Sequence, residues 1–216
     1  MAKLAVKRLL RFRGYIFAAL IFGVALCSFT YELNQKEEAE VYAAYINAHL
    51  LRNPLTNVPF SRLVIDDLTS GLPFRDSLKE EIAKLGQKMD AQTGRDFLAR
   101  NARYFGGFSL RLFRNGIMGR RILNTRIKFQ IAHTLISEAT MEQIFSNGGW
   151  DEFNKRYPNC RGSIDLSNVG FNRNRTQALF YIGSQWDWLA GEGRLILLEK
   201  KNGRWTEVDN IVIWVS

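Results

Sequence analysis

Glu192 sits between Gly191 and Gly193, a few positions after Trp186-Asp187-Trp188. A carboxylate beside two indoles is poorly hydrated, which raises its pKa and suits it to general-acid work, with Asp187 as the second carboxylate of a hydrolase or lyase. Against that stands a plainer reading, in which Glu192 is a loop carboxylate accepting backbone hydrogen bonds between two strands. Little else in the chain strengthens the catalytic case. His49 and His133 are the only histidines, and neither falls in a pattern that sets two imidazoles on one helix turn around a metal. No serine occupies a Gly-x-Ser-x-Gly elbow, and no phosphate-binding glycine loop is present. Asp66 and Asp67 follow a short apolar run, and neighbours in a strand point to opposite faces, so a turn is favoured over a shared metal or proton site. No metal or cofactor is expected.

Binding chemistry is better represented. Between Arg95 and Lys128 nine basic residues face one acid, Asp96, with Tyr104, Phe105, Phe108, Phe113 and Phe129 interleaved. Arg111, Arg114, Arg120 and Arg121 are the binding candidates there, for acidic lipid headgroups, a cell-wall polymer or an acidic protein. The competing reading is a solvated face whose arginines pair with acids elsewhere. Trp186 and Trp188 are binding candidates of the apolar kind. The formal charge of +9 suggests nucleic acid, but Lys3, Lys7, Arg8, Arg11 and Arg13 precede an apolar segment. Without them 25 basic residues stand against 21 acidic ones, an ordinary balance that disfavours a nucleic-acid partner.

That apolar segment, Gly14 to Tyr31, runs for eighteen residues without a charge. Its length just reaches what a helix needs to span hydrocarbon, and the basic flank holds the N-terminus in the cytoplasm. A signal anchor, a cleaved signal peptide ending near Gly23-Val24-Ala25 or Ala25-Leu26-Cys27, and a lipoprotein signal all remain open, the last weakened by bulky Leu26. In each case the rest of the chain lies outside the cytoplasm, either on a single-pass inner-membrane anchor or secreted to the periplasm. Cys27 and Cys160 are the only cysteines, and with Cys27 in or beside the membrane segment no internal disulfide is expected.

The elements that must hold these groups read as follows. Glu32 to Leu51 is a helix with early acids and an apolar stripe of Val41, Tyr42, Tyr45, Ile46 and Leu50. Leu63-Val64-Ile65 is a strand able to join a C-terminal sheet. Asp76 to Met89 and a segment opened by Thr93 are helical. Ser137 caps a helix closed by Asn147-Gly148-Gly149, and Trp150, Phe153 and Tyr157 stripe another that stops at Pro158. All five tryptophans fall in the last third. There, alternation marks strands at Ser163-Ser167, Thr176-Gly183, Leu195-Lys201 and Arg204-Val208. A bulge is expected near Gly170, an Asn202-Gly203 hairpin turn beyond it, and an interruption at Asp209-Asn210.

Trp150-Asp-Glu-Phe153, Tyr157-Pro158, Leu166-Ser167-Asn168-Val169-Gly170-Phe171-Asn172, Gly191-Glu192-Gly193, Leu198 to Trp205 and Trp214-Val215-Ser216 resemble a family of uncharacterised bacterial exported proteins. The resemblance covers the last seventy residues or so and implies a fold and an address, with no activity. Its members often carry a cysteine pair in the loop before Gly-Glu-Gly; Trp186 and Ala190 stand there here, so that disulfide is absent.

The expectation is an α+β protein. An N-terminal membrane segment and helices precede a C-terminal three- to four-stranded antiparallel sheet with a helix packed on one face. Residues 1–31 form the basic tip with the signal anchor or signal peptide, and 32–216 a single extracytoplasmic domain with its sheet core in 148–216. The function expected is non-enzymatic binding. Fractionation of the native cells should place the chain in the membrane or periplasm, and sequencing its mature N-terminus should separate the three signal types; recovery of the mature chain from the cytosol would contradict the export reading.

Overall fold

The computed structural model describes residues 33–53, 56–69, 78–101, 123 and 127–216. Two units are distinguished, Met1–Glu37 and Glu38–Ser216. Of the first, the described residues 33–37 are helical. The membrane segment at 14–31 lies outside the described residues, and among these no helix is long and apolar enough to cross a membrane.

The second unit is α+β, but its sheet is larger than the one expected. Among the described residues seven strands form one mixed sheet, β1 (Arg62–Asp66), β2 (Ala132–Ile136), β3 (Cys160–Leu166), β4 (Gly170–Phe171), β5 (Gln177–Asp187), β6 (Ala190–Lys201) and β7 (Arg204–Val215). Their order is β2-β1-β3-β5-β6-β7, with β4 also paired to β5. The expected run at Leu63-Val64-Ile65 does join the sheet, as β1, and runs parallel to both β2 and β3. A parallel neighbour needs a long crossover, and the pairing therefore reaches far outside residues 148–216.

Helices cover both faces, which corrects the expectation of one covered face. The reason lies in the strands. β5 reads Ala178, Phe180, Ile182 on one side and Leu179, Tyr181 on the other, all buried, and a strand apolar on both sides needs two covers. On the first face the helix at 33–49, α1, sets Val41, Tyr42, Tyr45 and Ile46 against Leu63, Ile65, Ile164, Phe180, Ile196 and Leu198. On the second face α2 (Leu78–Lys84) and α3 (Ala91–Asn101) cover Leu179, Tyr181, Leu195 and Leu197. Farther along that face α4 (Glu138–Asn147) and α5 (Gly149–Arg156) close over Val64 and Ile136 with Ile144, Trp150 and Phe153. Ser137 caps α4 by accepting from Thr140 N at 3.2 Å, as its position predicts.

The chain between β3 and β4 carries two adjacent buried polar residues. Ser167 and Asn168 are 0% and 2% exposed; Ser167 is tied to α1 and β5, and Asn168 to α3. Tyr42 Oη of α1 donates to Ser167 O at 2.6 Å, while Ser167 Oγ accepts from Tyr181 N at 2.8 Å. Asn101 of α3 donates through Nδ2 to Asn168 O at 3.1 Å and accepts from Asn168 N at 3.1 Å. The bulge expected near Gly170 is replaced by this departure from the sheet, after which Gly170 lies directly against the backbone of Phe97.

Asn101→Ala removes three hydrogen bonds, to Phe97 O, Asn168 O and Asn168 N, and leaves the Asn168 groups buried without them. The variant should lose about 2–4 kcal/mol of stability in urea unfolding, with an unchanged m value.

Candidate functional site at the β5–β6 hairpin tip

β5 and β6 pair in register from Gln177–Glu199 to Gln185–Gly191, and after an irregularity at Trp186 Asp187 meets Ala190. The segment Trp186 to Glu192, expected as a loop, is thus mostly strand, closed by a turn at Trp188-Leu189. This turn lifts apolar side chains into solvent: Trp186, Trp188 and Leu189 are 41%, 63% and 84% exposed. Val215, paired with Glu192 across β6 and β7, adds a fourth at the same end. Trp188 keeps one side of its indole on Gly149 and stands edge-on to Phe145 at 5.5 Å between centroids. Phe145 rests in turn on Trp150, so the tip is braced by the α4–α5 junction. Ser216 and Gly191 exchange backbone hydrogen bonds of 3.0 and 3.3 Å, which hold the end of β7 beside it.

Alternation along β6 explains the Gly-Glu-Gly run. Gly191 and Gly193 point to the second face, where the indole of Trp214 lies across them and any side chain would collide with it. Trp214 Nε1 donates to Tyr181 Oη at 2.9 Å. Burial, and next the charge of Asp165, push the Tyr181 phenol above its usual range, with the Trp214 hydrogen bond opposing. Glu192 and Arg194 point the other way, toward the face covered by α1.

Arg161 reaches Glu192 because β3 carries an extra residue. Cys160 faces Arg62 and Ser163 faces Val64, so two steps on β1 match three on β3. Gly162 absorbs the bulge with φ +93°, a conformation that a side chain would strain. Arg161 Nη2 then donates to Glu192 Oε1 at 3.0 Å, and Arg194 Nε to Glu192 Oε2 at 3.0 Å. The chain of contacts continues from Arg194 to Asn210 (2.9 Å), from Asn210 to Glu207 (2.6 Å), and from Glu207 to His49 Nε2 (3.0 Å). Tyr45 lies on the His49 ring at 4.8 Å, and its phenol is raised to about 12 by burial first and by Glu207 next. The guanidinium of Arg161 also lies 6.0 Å from the Trp186 ring centroid.

Glu192 therefore has both oxygens engaged by guanidiniums, whereas the sequence suggested backbone partners. Asp187 is exposed at the tip and accepts from Trp188 N at 2.7 Å, and no hydrogen bond joins it to Glu192 among the described residues. His133 meets the edge of Phe129, and Asp66 accepts from Leu68 N in the turn expected of it. No three metal-ligating side chains gather among the described residues. Arg111, Arg114, Arg120 and Arg121 lie outside the described residues. Of that basic stretch Arg95, Arg100 and Lys128 are described; Arg95 and Lys128 are exposed, and half-buried Arg100 is paired with Glu38 at 3.2 Å and Asp96 at 2.6 Å. Arg161, Arg194, Ser184 and Tyr45 were missed in the sequence. Arg194 alone carried a signal, standing two residues from Glu192 in a strand.

No family model matches the chain, and no similar protein is found among curated proteins or solved structures.

Tyr45 supplies a pH test. Its folded pKa lies above the usual 10, so the folded state keeps its proton longer than the unfolded chain does. That contribution is complete below pH 10 and is lost as pH rises toward 12, about 2–3 kcal/mol in all. Urea unfolding across this range should show a shallower loss for Tyr45→Phe than for the wild type, with Tyr181 adding a loss common to both.

Proposed function

We propose that the chain is a non-enzymatic binding domain, exported or membrane-tethered through residues 14–31, that engages a partner with the β5–β6 hairpin tip. Membership of the exported family resembled by the last seventy residues belongs to the same reading. One observation carries it: Trp186, Trp188, Leu189 and Val215, four large apolar side chains exposed by 41% to 84%, gather at one end of the sheet. Water-exposed tryptophans on a braced hairpin lose little freedom when a partner covers them, which is how a few residues supply most of a binding energy.

The sheet edges support this choice of surface. β7 is an outer strand, and its pairing with β6 is broken twice, between Gly193/Arg194 and between Leu197/Leu198. Such bulges twist an edge away from further pairing, and the opposite edge, β2, is only five residues long. Addition of a partner strand is thus discouraged at both edges, while the tip is open.

A hydrolase or lyase based on Glu192 and Asp187 draws less support, since two arginines occupy Glu192 and Asp187 caps the adjacent turn. An anionic polymer or lipid headgroup bound through Arg95–Lys128 rests on the charge pattern of the sequence.

Leu189 makes few demands on the fold, so Leu189→Asp should change stability by no more than about 0.5 kcal/mol. A photo-crosslinker placed at Trp186 in the native host should trap a discrete species that Leu189→Asp abolishes. The same crosslinker at Asn202, at the far end of β6, should trap none. Equal trapping at both positions, or no effect of Leu189→Asp, would refute the assignment of the tip.

A further inference from the structure

Beside the tip, on the α1 face, the Glu192 cluster holds more hydrogen-bond donors than it uses. Arg161 Nε is fully buried and has no partner among the described residues, and the same is true of Ser184 Oγ. Ser184 is 4% exposed and stands directly opposite Glu192 in the β5–β6 pairing. A buried donor left without an acceptor is costly, so two of them beside one carboxylate point to an acceptor that the described residues do not supply. Charge leads the same way. Two guanidiniums share the single carboxylate of Glu192, while Glu207, the next acid along the belt, is occupied by His49 and Asn210.

We propose that Arg161, Arg194 and Ser184 form a receptor for the carboxylate of a small ligand with an apolar body, and that Glu192 is a built-in occupant which the ligand displaces. The site already holds one carboxylate between two guanidiniums at 3.0 Å on each side, Arg161 on one oxygen and Arg194 on the other, charge-assisted contacts of the stronger kind. Arg161 is the fixed member, its side chain 11% exposed, whereas Glu192 is 23% exposed and can swing toward water. The apolar body lies over Trp186, Val212 and Val215, all exposed and at the same end of the sheet. Val212 and Val215 are paired across the strands with Arg194 and Glu192. The proposal stands on these unpaired donors and does not require the tip to be a docking surface.

The test titrates the full-length chain with sodium butyrate, acetate and inorganic phosphate, each at constant ionic strength against chloride. The Arg161 Nε–H resonance, identified by its loss in Arg161→Lys, is followed. Butyrate should give a saturable shift at millimolar concentration, several-fold tighter than acetate because of its longer apolar chain, and phosphate a weaker one. Arg194→Gln should weaken butyrate about tenfold, and Glu192→Gln, which removes the competing carboxylate, should tighten it by a similar factor. If Glu192→Gln does not fold, Arg194→Gln carries the comparison. No saturable shift with any of the three up to about 50 mM, or butyrate binding unaffected by Arg194→Gln, overturns the proposal. Phosphate binding as tightly as butyrate overturns the carboxylate assignment. A partner trapped at the tip together with no butyrate shift would leave the function above intact and remove this inference alone.

Discussion

The fold depends on a small set of hydrogen bonds made where there is no water to replace them. Where the chain leaves β3, the backbone of Ser167 and Asn168 would be left unpaired inside an apolar core, and three elements answer it. Tyr42 comes from the first face, Asn101 from the second, and Tyr181 from the sheet between them. Buried polar groups are costly unless every partner is in place, so this knot accepts one arrangement of α1, α3 and β5 and few others. Arg100 extends it toward solvent, joining Glu38 to Asp96, whose carboxylate also receives Phe171 N.

Fixing α1 has consequences beyond the knot. One turn on from Tyr42, the same helix brings Tyr45 over Phe180, and it then presents His49 to Glu207 on β7. The polar belt from His49 to Arg161 therefore runs along the first face where α1 ends. On the second face Gly191 and Gly193 leave this part of β6 to the Trp214 ring, which lies across them. A single strand segment thus serves two purposes, stacking an indole on one side and holding a charged cluster on the other. Period-two geometry makes this division possible.

The tryptophans of the hairpin tip gain only part of their burial from the chain. Trp188 uses Gly149 and Phe145 as a seat, while Trp186 leans on Arg161. Apolar area kept in water while held rigid serves binding better than folding, and it contrasts with Trp205, which is 8% exposed in the core of the first face.

Local signals in the sequence were sound. The Asn202-Gly203 turn forms with φ of 51° and 76°, Ser137 caps α4, Trp150 and Phe153 stripe α5, and the apolar stripe of α1 lies buried as its spacing required. Each of these is set by neighbours a few residues apart, so propensity and periodicity suffice. What the sequence could not decide was everything set by distant neighbours. β1 is an interior strand of the sheet because β2 and β3 arrive from 70 and more residues away to flank it. Asp209-Asn210, read as a break, remains in β7 because the bulge opposite Leu197/Leu198 absorbs the irregularity. Glu192 was recognised as the acid to watch, but its partners were not. Arg161 comes from another strand through a bulge at Gly162, and no spacing within the chain encodes that meeting, since only the pairing of β3 with β5, and of β5 with β6, brings the two charges together.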